Sequence, residues 1–163
     1  MSAKPDDLSI RAARPSDVGL ILEFVRELAA YERLSHLVTA TEPVLTQALF
    51  GPQPGAEVRL AFEGDTPVGF AVFFHNFSTF LGSRGLWLED IYVKPQFRGK
   101  GYGRALLLHV ACIAHERGCA RFEWAALNWN TPSIDFYKSL GAVAVDDWTV
   151  FRLAGDALKK LAE

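Results

Sequence analysis

The run Leu88-Glu89-Asp90-Ile91-Tyr92-Val93-Lys94-Pro95-Gln96-Phe97-Arg98-Gly99-Lys100-Gly101-Tyr102-Gly103-Arg104-Ala105 changes character twice. Ile91, Tyr92 and Val93 are β-branched or aromatic and read as a strand that Pro95 ends. Three glycines follow, at 99, 101 and 103, and from Tyr102 onward apolar residues recur at helical spacing. A strand leading through glycines into a helix start forms an anion cradle. Glycine lets main-chain N–H groups approach a phosphate closely, and the positive end of the helix dipole faces it. Two phosphate motifs are excluded by the residues themselves. A nucleoside-triphosphate loop needs Ser or Thr directly after Gly-Lys to hold magnesium, and here Gly101 follows Gly99-Lys100. A dinucleotide fingerprint needs a final Gly or Ala, and counting from Gly99 or from Gly101 gives Arg104 or Leu106. What remains is R-x-x-G-x-G, filled by Arg98, Gly101 and Gly103. A glycine-rich turn that binds nothing is the plain alternative.

Composition sets the frame. The chain has 163 residues, enough for one domain (1–163) with a sizeable core, residues 1–7 being read as a polar tail. A formal net charge of −2 leaves nucleic-acid binding without an electrostatic footprint. No apolar stretch is long enough to span a bilayer, and the polar N-terminus lacks the apolar stretch of a signal peptide. Cys112 and Cys119 make neither a disulfide framework nor a metal site, and the four histidines have no metal-ligand spacing, so no metal and a cytoplasmic location are expected.

The remaining elements follow from periodicity and punctuation. A strand over 8–11 precedes a helix opened by Pro15-Ser16-Asp17, with Ser16 or Asp17 as cap, whose apolar face is Val18, Ile21, Leu22, Val25, Leu28 and Ala29. A shorter helix starts at Thr41 and Pro43. Strands are expected over 58–63, 68–77 and 86–93, the first two joined by a turn at Gly64-Asp65-Thr66-Pro67. The central helix, 102–117, stops at Gly118, and a strand over 121–127 follows. A helix over 133–140, capped by Thr131 with Pro132 at its first position, ends at Gly141. Closing strands at 143–145 and 149–153 and a terminal helix at 155–162 complete the chain. The order β-α-α-β-β-β-α-β-α-β predicts an α/β (α+β) fold, a mixed sheet flanked by helices.

The loop Arg98-x-x-Gly101-x-Gly103, in its strand-loop-helix setting, resembles the acyl-CoA diphosphate loop of the GCN5-related N-acetyltransferases (GNAT), and the element order resembles that fold over essentially the whole chain. Within the superfamily, Glu27-Leu28-Ala29-Ala30-Tyr31-Glu32, residues 88–93, the block from Trp129 to Lys138 and Gly141-Ala142 look like the diamine (spermidine/spermine) N-acetyltransferases. One departure is informative. The polyamine-specific branch carries an acidic residue followed by Pro-Trp after the long strand. Here Ser78, Thr79 and Phe80 stand there, as in the thialysine-preferring branch, which puts spermidine and spermine in doubt as substrates.

The resemblance implies the GNAT acyl-CoA N-acyltransferase fold, with a splayed central sheet in which strands 86–93 and 121–127 part around acetyl-CoA. It also implies a homodimer. The coenzyme contacts it implies are Ile91, Tyr92, Val93, Arg98, Gly99, Lys100, Gly101, Tyr102, Gly103, Arg104, Asn130, Ser133 and Tyr137, although Arg98 reads equally as a surface base. The expected reaction moves acetyl from acetyl-CoA to a primary amine of a small diamine or thialysine-like amino acid, by direct attack. Glu89 is the expected base through a water, its pKa raised by burial in an apolar strand; a structural hydrogen bond is the alternative. Tyr137 is the expected acid toward the sulfur, with a core aromatic as the alternative. Tyr31, Glu32 and Asp90 are expected at the amine substrate, Asp90 through a bulge that the family has here; a solvated helix end and a structural role are the alternatives for Glu32 and Asp90. Acetylation of a protein or peptide amine, or a coenzyme sensor without turnover, are the competing functions.

Overall fold

In the computed structural model, which describes residues 7–163, the chain divides into two compact units, 7–125 and 126–163. Six of the seven residues assigned to an N-terminal tail lie outside the described residues.

The first unit is a five-stranded sheet in the order β1-β2-β3-β4-β5, with β1 at Leu8–Ala12, β2 at Glu57–Glu63, β3 at Thr66–Ser78, β4 at Ser83–Val93 and β5 at Phe122–Trp124. The first four strands are antiparallel neighbours, and β5 lies parallel to β4. Helices α1 (Val18–Tyr31) and α2 (Glu42–Phe50) cover one face. There Ile21, Phe24 and Leu28 of α1 pack on Leu60, Phe70 and Tyr92, while Leu45 and Leu49 of α2 close the edge. Phe24 and Phe70 stack with ring centroids 5.3 Å apart. Side chains alternate along a strand, so Phe73 and Val93 face the other way. Phe73 meets Arg117 at the end of α3 (Tyr102–Glu116), and Val93 lies against Gly103 in its first turn. The mixed sheet is therefore flanked on both faces. Gly69 is required where β3 passes β4, since a Cβ there would stand 2.4 Å from the Tyr92 carbonyl oxygen.

In the second unit, α4 spans Thr131–Ser139 and α5 spans Gly155–Ala162. The expected closing strands at 143–145 and 149–153 do not form. Their alternating Val, Phe and Leu residues have no partner strand among the described residues, and Val143 (85 % exposed) and Phe151 (90 %) project outward. Strand preference expresses fit to a half-buried pleated surface, and without that surface it is not realised. β5 is also shorter than expected, because its register with β4 covers only Leu86–Leu88.

Two caps differ as well. Asp17 precedes α1 but does not cap it: its carboxylate accepts from the Arg14 main-chain N–H at 2.7 Å and from Arg11 at 2.7 and 2.9 Å. Helix α4 has Asn130 at its cap position and Thr131 already inside.

Candidate active site

The site begins with a β-bulge. Phe73 pairs with Leu88 and Val72 with Asp90, so Glu89 is the extra residue of β4. A regular strand would send Glu89 and Asp90 to opposite faces. With the bulge both residues line one cleft of about 390 Å³ beneath α1, which Glu32 also lines. Val25, Leu28 and Val38 form apolar walls. The parallel register with β5 ends at Leu88, one residue before the bulge, and β4 continues to Val93. Pairing on this side of β4 therefore stops where β5 itself ends, at Trp124.

The three acids are not equivalent. Asp90 is half-buried, and its pKa is pushed up from 3.8 to about 6, first by burial and then by the charges of Glu89 and Glu32. Burial also raises Glu32. Glu89, expected to be the buried member, is instead exposed and accepts a hydrogen bond from Trp87 Nε1 at 2.9 Å. The correction has a simple cause. A bulged residue leaves the ladder and tips outward, while the next residue returns to the packed face.

Beyond Val93 the chain enters the glycine loop. Gly99 (φ +79°) and Gly101 (φ +82°) adopt the left-handed conformation that side chains disfavour, and Gly101 is the cap residue of α3. The Ala105 N–H reaches the Gly101 carbonyl at 2.9 Å. The N–H groups of Tyr102, Gly103 and Arg104 precede that bond, so they are the first-turn donors of α3, which have no intrahelical acceptor. Side chains in the loop are held elsewhere. Lys100 Nζ bonds Glu63 Oε1 at 2.7 Å, and the Tyr102 hydroxyl donates to the same oxygen, which pushes its pKa up to about 12. Arg98 donates from Nε to the Val93 carbonyl at 3.0 Å, and its guanidinium lies 4.6 Å from the centre of the Tyr31 ring. The donors suit a diphosphate: a set of main-chain amides at a helix N-terminus, with one guanidinium alongside.

A sequence model of the acetyltransferase (GNAT) family matches residues 22–142. The chain belongs to this family. It is 39 % identical to a thialysine N-epsilon-acetyltransferase of Sus scrofa, over 94 % of this chain and 96 % of that one. It is 31 % identical to an L-ornithine N5-acetyltransferase of Arabidopsis thaliana, over 93 % and 86 % of the two chains. Among solved structures, an integron cassette protein from the mobile metagenome of V. cholerae superimposes with a TM-score of 0.80 at 30 % identity, covering 96 % of this chain and 98 % of that one. The protein is thus an acetyltransferase enzyme of the GNAT family, whose members use acetyl-CoA. Among the described residues no helix is long and apolar enough to cross a membrane.

For a GNAT enzyme, the candidate residues fall into distinct groups. Glu32, Glu89 and Asp90 share the cleft. Tyr31, its neighbour on α1, does not line that cleft and meets Arg98 instead. The side chain of Tyr92 belongs to the α1 core, which leaves only its main chain, with that of Ile91 and Val93, along the free part of β4. Asn130, Ser133 and Tyr137 lie in the second unit. Asn130 stands at the cap position of α4, where its main-chain carbonyl accepts from the Ser133 N–H at 3.1 Å, and the half-buried Tyr137 ring packs 5.5 Å from Phe136. Sequence reasoning missed Glu63, which holds Lys100 and Tyr102. It also missed Glu23 and Glu27, which hold Lys94 at 2.7 and 3.3 Å. The four-residue spacing of Glu23, Glu27 and Tyr31 was the available signal for a second working face on α1.

Proposed function

We propose that this enzyme moves an acetyl group from acetyl-CoA directly to the primary amine of a small diamine or thialysine-like amino acid. The observation that carries the reading is the gathering of Glu32, Glu89 and Asp90 in one apolar-walled cleft, on the strand that leads into the glycine loop. Acidic groups in a confined cleft suit a small cationic amine, and the activities named for the porcine and plant relatives support the same class. When bound, acetyl-CoA supplies the activated acetyl thioester. The amides of residues 101–104 and the remaining N–H groups of Arg98 would hold its diphosphate.

The protein's own task is proton management. A lysine-type amine has a pKa near 10.4 and arrives protonated. Glu89, open to solvent, passes its proton through a water, and Asp90, poised at about 6, holds it. Glu32 neutralises the distal cation. The Tyr137 hydroxyl donates its proton to the departing sulfur. In this reading both units form one catalytic domain, in keeping with a family match that runs across their boundary. The enzyme is a homodimer, for which the exposed Val143, Trp148 and Phe151 offer apolar surface. It acts in the cytoplasm, in keeping with two free thiols.

An amine panel with acetyl-CoA, read by thiol release, tests the reading. Turnover on diamines or thialysine-like amino acids is the expected result. Tight coenzyme binding without turnover on any amine contradicts it and indicates a sensor, and turnover confined to peptides indicates a protein acetyltransferase.

A further inference from the structure

Helix α1 presents two working faces to β4 and the loop that follows it. One carries Glu32 into the acidic cleft. The other carries Glu23, Glu27 and Tyr31 at four-residue spacing along the end of the strand. Glu23 and Glu27 pair with Lys94 at 2.7 and 3.3 Å. Tyr31 is the last rung. Its ring lies 4.6 Å from the Arg98 guanidinium carbon, which also stands 5.6 Å from the Tyr92 ring. Arg98 Nε is committed to the Val93 carbonyl at 3.0 Å. An arginine with one N–H fixed and its guanidinium held over an aromatic ring has little freedom left, so its outer N–H groups are pre-aimed.

We propose that Tyr31 is a positioning residue for the coenzyme: its ring fixes the Arg98 guanidinium, and Arg98 in turn receives the diphosphate. The inference rests on the functional reading above, in which the loop holds acetyl-CoA. It moves Tyr31 from the amine side, where sequence resemblance put it, to the coenzyme side. Holding the guanidinium before the ligand arrives reduces the ordering cost of binding. Tyr31 is the last residue of α1 and Glu32 the one that follows, so the end of that helix serves both substrates with neighbouring residues.

Calorimetric titration of CoA into the full-length chain tests this with Tyr31→Phe, Tyr31→Leu, Arg98→Lys and the Tyr31→Leu/Arg98→Lys double variant. Tyr31 ends its helix and is 37 % exposed, so its loss is not a core deletion. Tyr31→Leu should weaken CoA by about three- to tenfold, and Tyr31→Phe, which keeps the ring, should restore binding to within about twofold of the native chain. The double variant should bind within about twofold of Arg98→Lys alone, because both changes break one contact. At saturating acetyl-CoA, the amine KM of Tyr31→Leu should stay within about twofold of native. Native CoA affinity in Tyr31→Leu, with a raised amine KM, overturns the proposal and returns Tyr31 to the amine site. Tyr31→Phe as weak as Tyr31→Leu overturns the stacking argument. Failure of the native chain to bind CoA removes the functional reading itself, a result distinct from either.

Discussion

The glycine loop and the acidic cleft flank the same short piece of chain, and they are built on opposite plans. In the loop the proposed working groups are main-chain amides with the Arg98 guanidinium beside them, and the other side chains are tied away, Lys100 and Tyr102 both to Glu63. In the cleft the working groups are side chains, and the main chain serves only to aim them through a bulge. An anion site made of amides and a guanidinium has no group that titrates near neutral pH, so its performance should be flat with pH. A cation site made of three nearby carboxylates cannot keep all of them ionised cheaply, and Asp90 shows the consequence in a pKa of about 6. Coenzyme binding and amine chemistry should therefore respond to different perturbations.

The largest expected effect is on the cleft. Asp90→Asn should lower kcat/KM by about 10²–10⁴, the usual range for a lost general base, and should abolish the rise in activity through about pH 6 as Asp90 ionises. Glu89→Gln should lower kcat while leaving that limb in place, and a pH profile of each variant separates the two acids. The next effect is on the loop. Gly101→Val forces a β-branched residue to a φ near +82° and should weaken CoA by about tenfold or more in a direct titration, with the pH limb unchanged.

Stability gives a third contrast. The Asp90 pKa is raised in the folded chain, so the folded state binds the proton more tightly than the unfolded one, and stability falls as pH rises from about 4 to about 6. Asp90→Asn removes that penalty. Chemical denaturation at pH 7 should find it more stable than the native protein by about 1 to 3 kcal/mol, and no more stable at pH 3.5. The smallest expected effect sharpens the comparison from the loop side. Glu63→Gln releases Lys100 and Tyr102, yet CoA affinity should change by only about two- to threefold, because the amides do the binding.

The two sites were also unequally legible in the sequence. The loop could be read from Gly99, Gly101 and Gly103, because glycine at a left-handed position records a local backbone requirement. The cleft could be read only in part. Leu88-Glu89-Asp90 names the acids but not which one is buried, since that depends on the pairing of Phe73 with Leu88 and Val72 with Asp90 across the sheet. Burial was accordingly expected at Glu89 and lies at Asp90. The same limit explains residues 143–153, whose alternation spelled strands that find no partner among the described residues. Glu63 escaped notice because its contacts with Lys100 and Tyr102 are made by tertiary folding. The helix of Tyr102–Glu116 and its stop at Gly118, by contrast, depend on local signals and were read within one residue.

The central claim is that residues 101–104 hold the coenzyme's diphosphate by their amides and so direct its acetyl group toward the cleft of Glu32, Glu89 and Asp90. A crystal structure of the complex with CoA tests it most directly. The account predicts diphosphate oxygens within hydrogen-bond distance of those amides and of Arg98, and the pantetheine arm along β4 beyond Leu88, where its pairing with β5 ends. Coenzyme bound at any other surface, or a diphosphate held by Lys100 with no main-chain contacts, would contradict it.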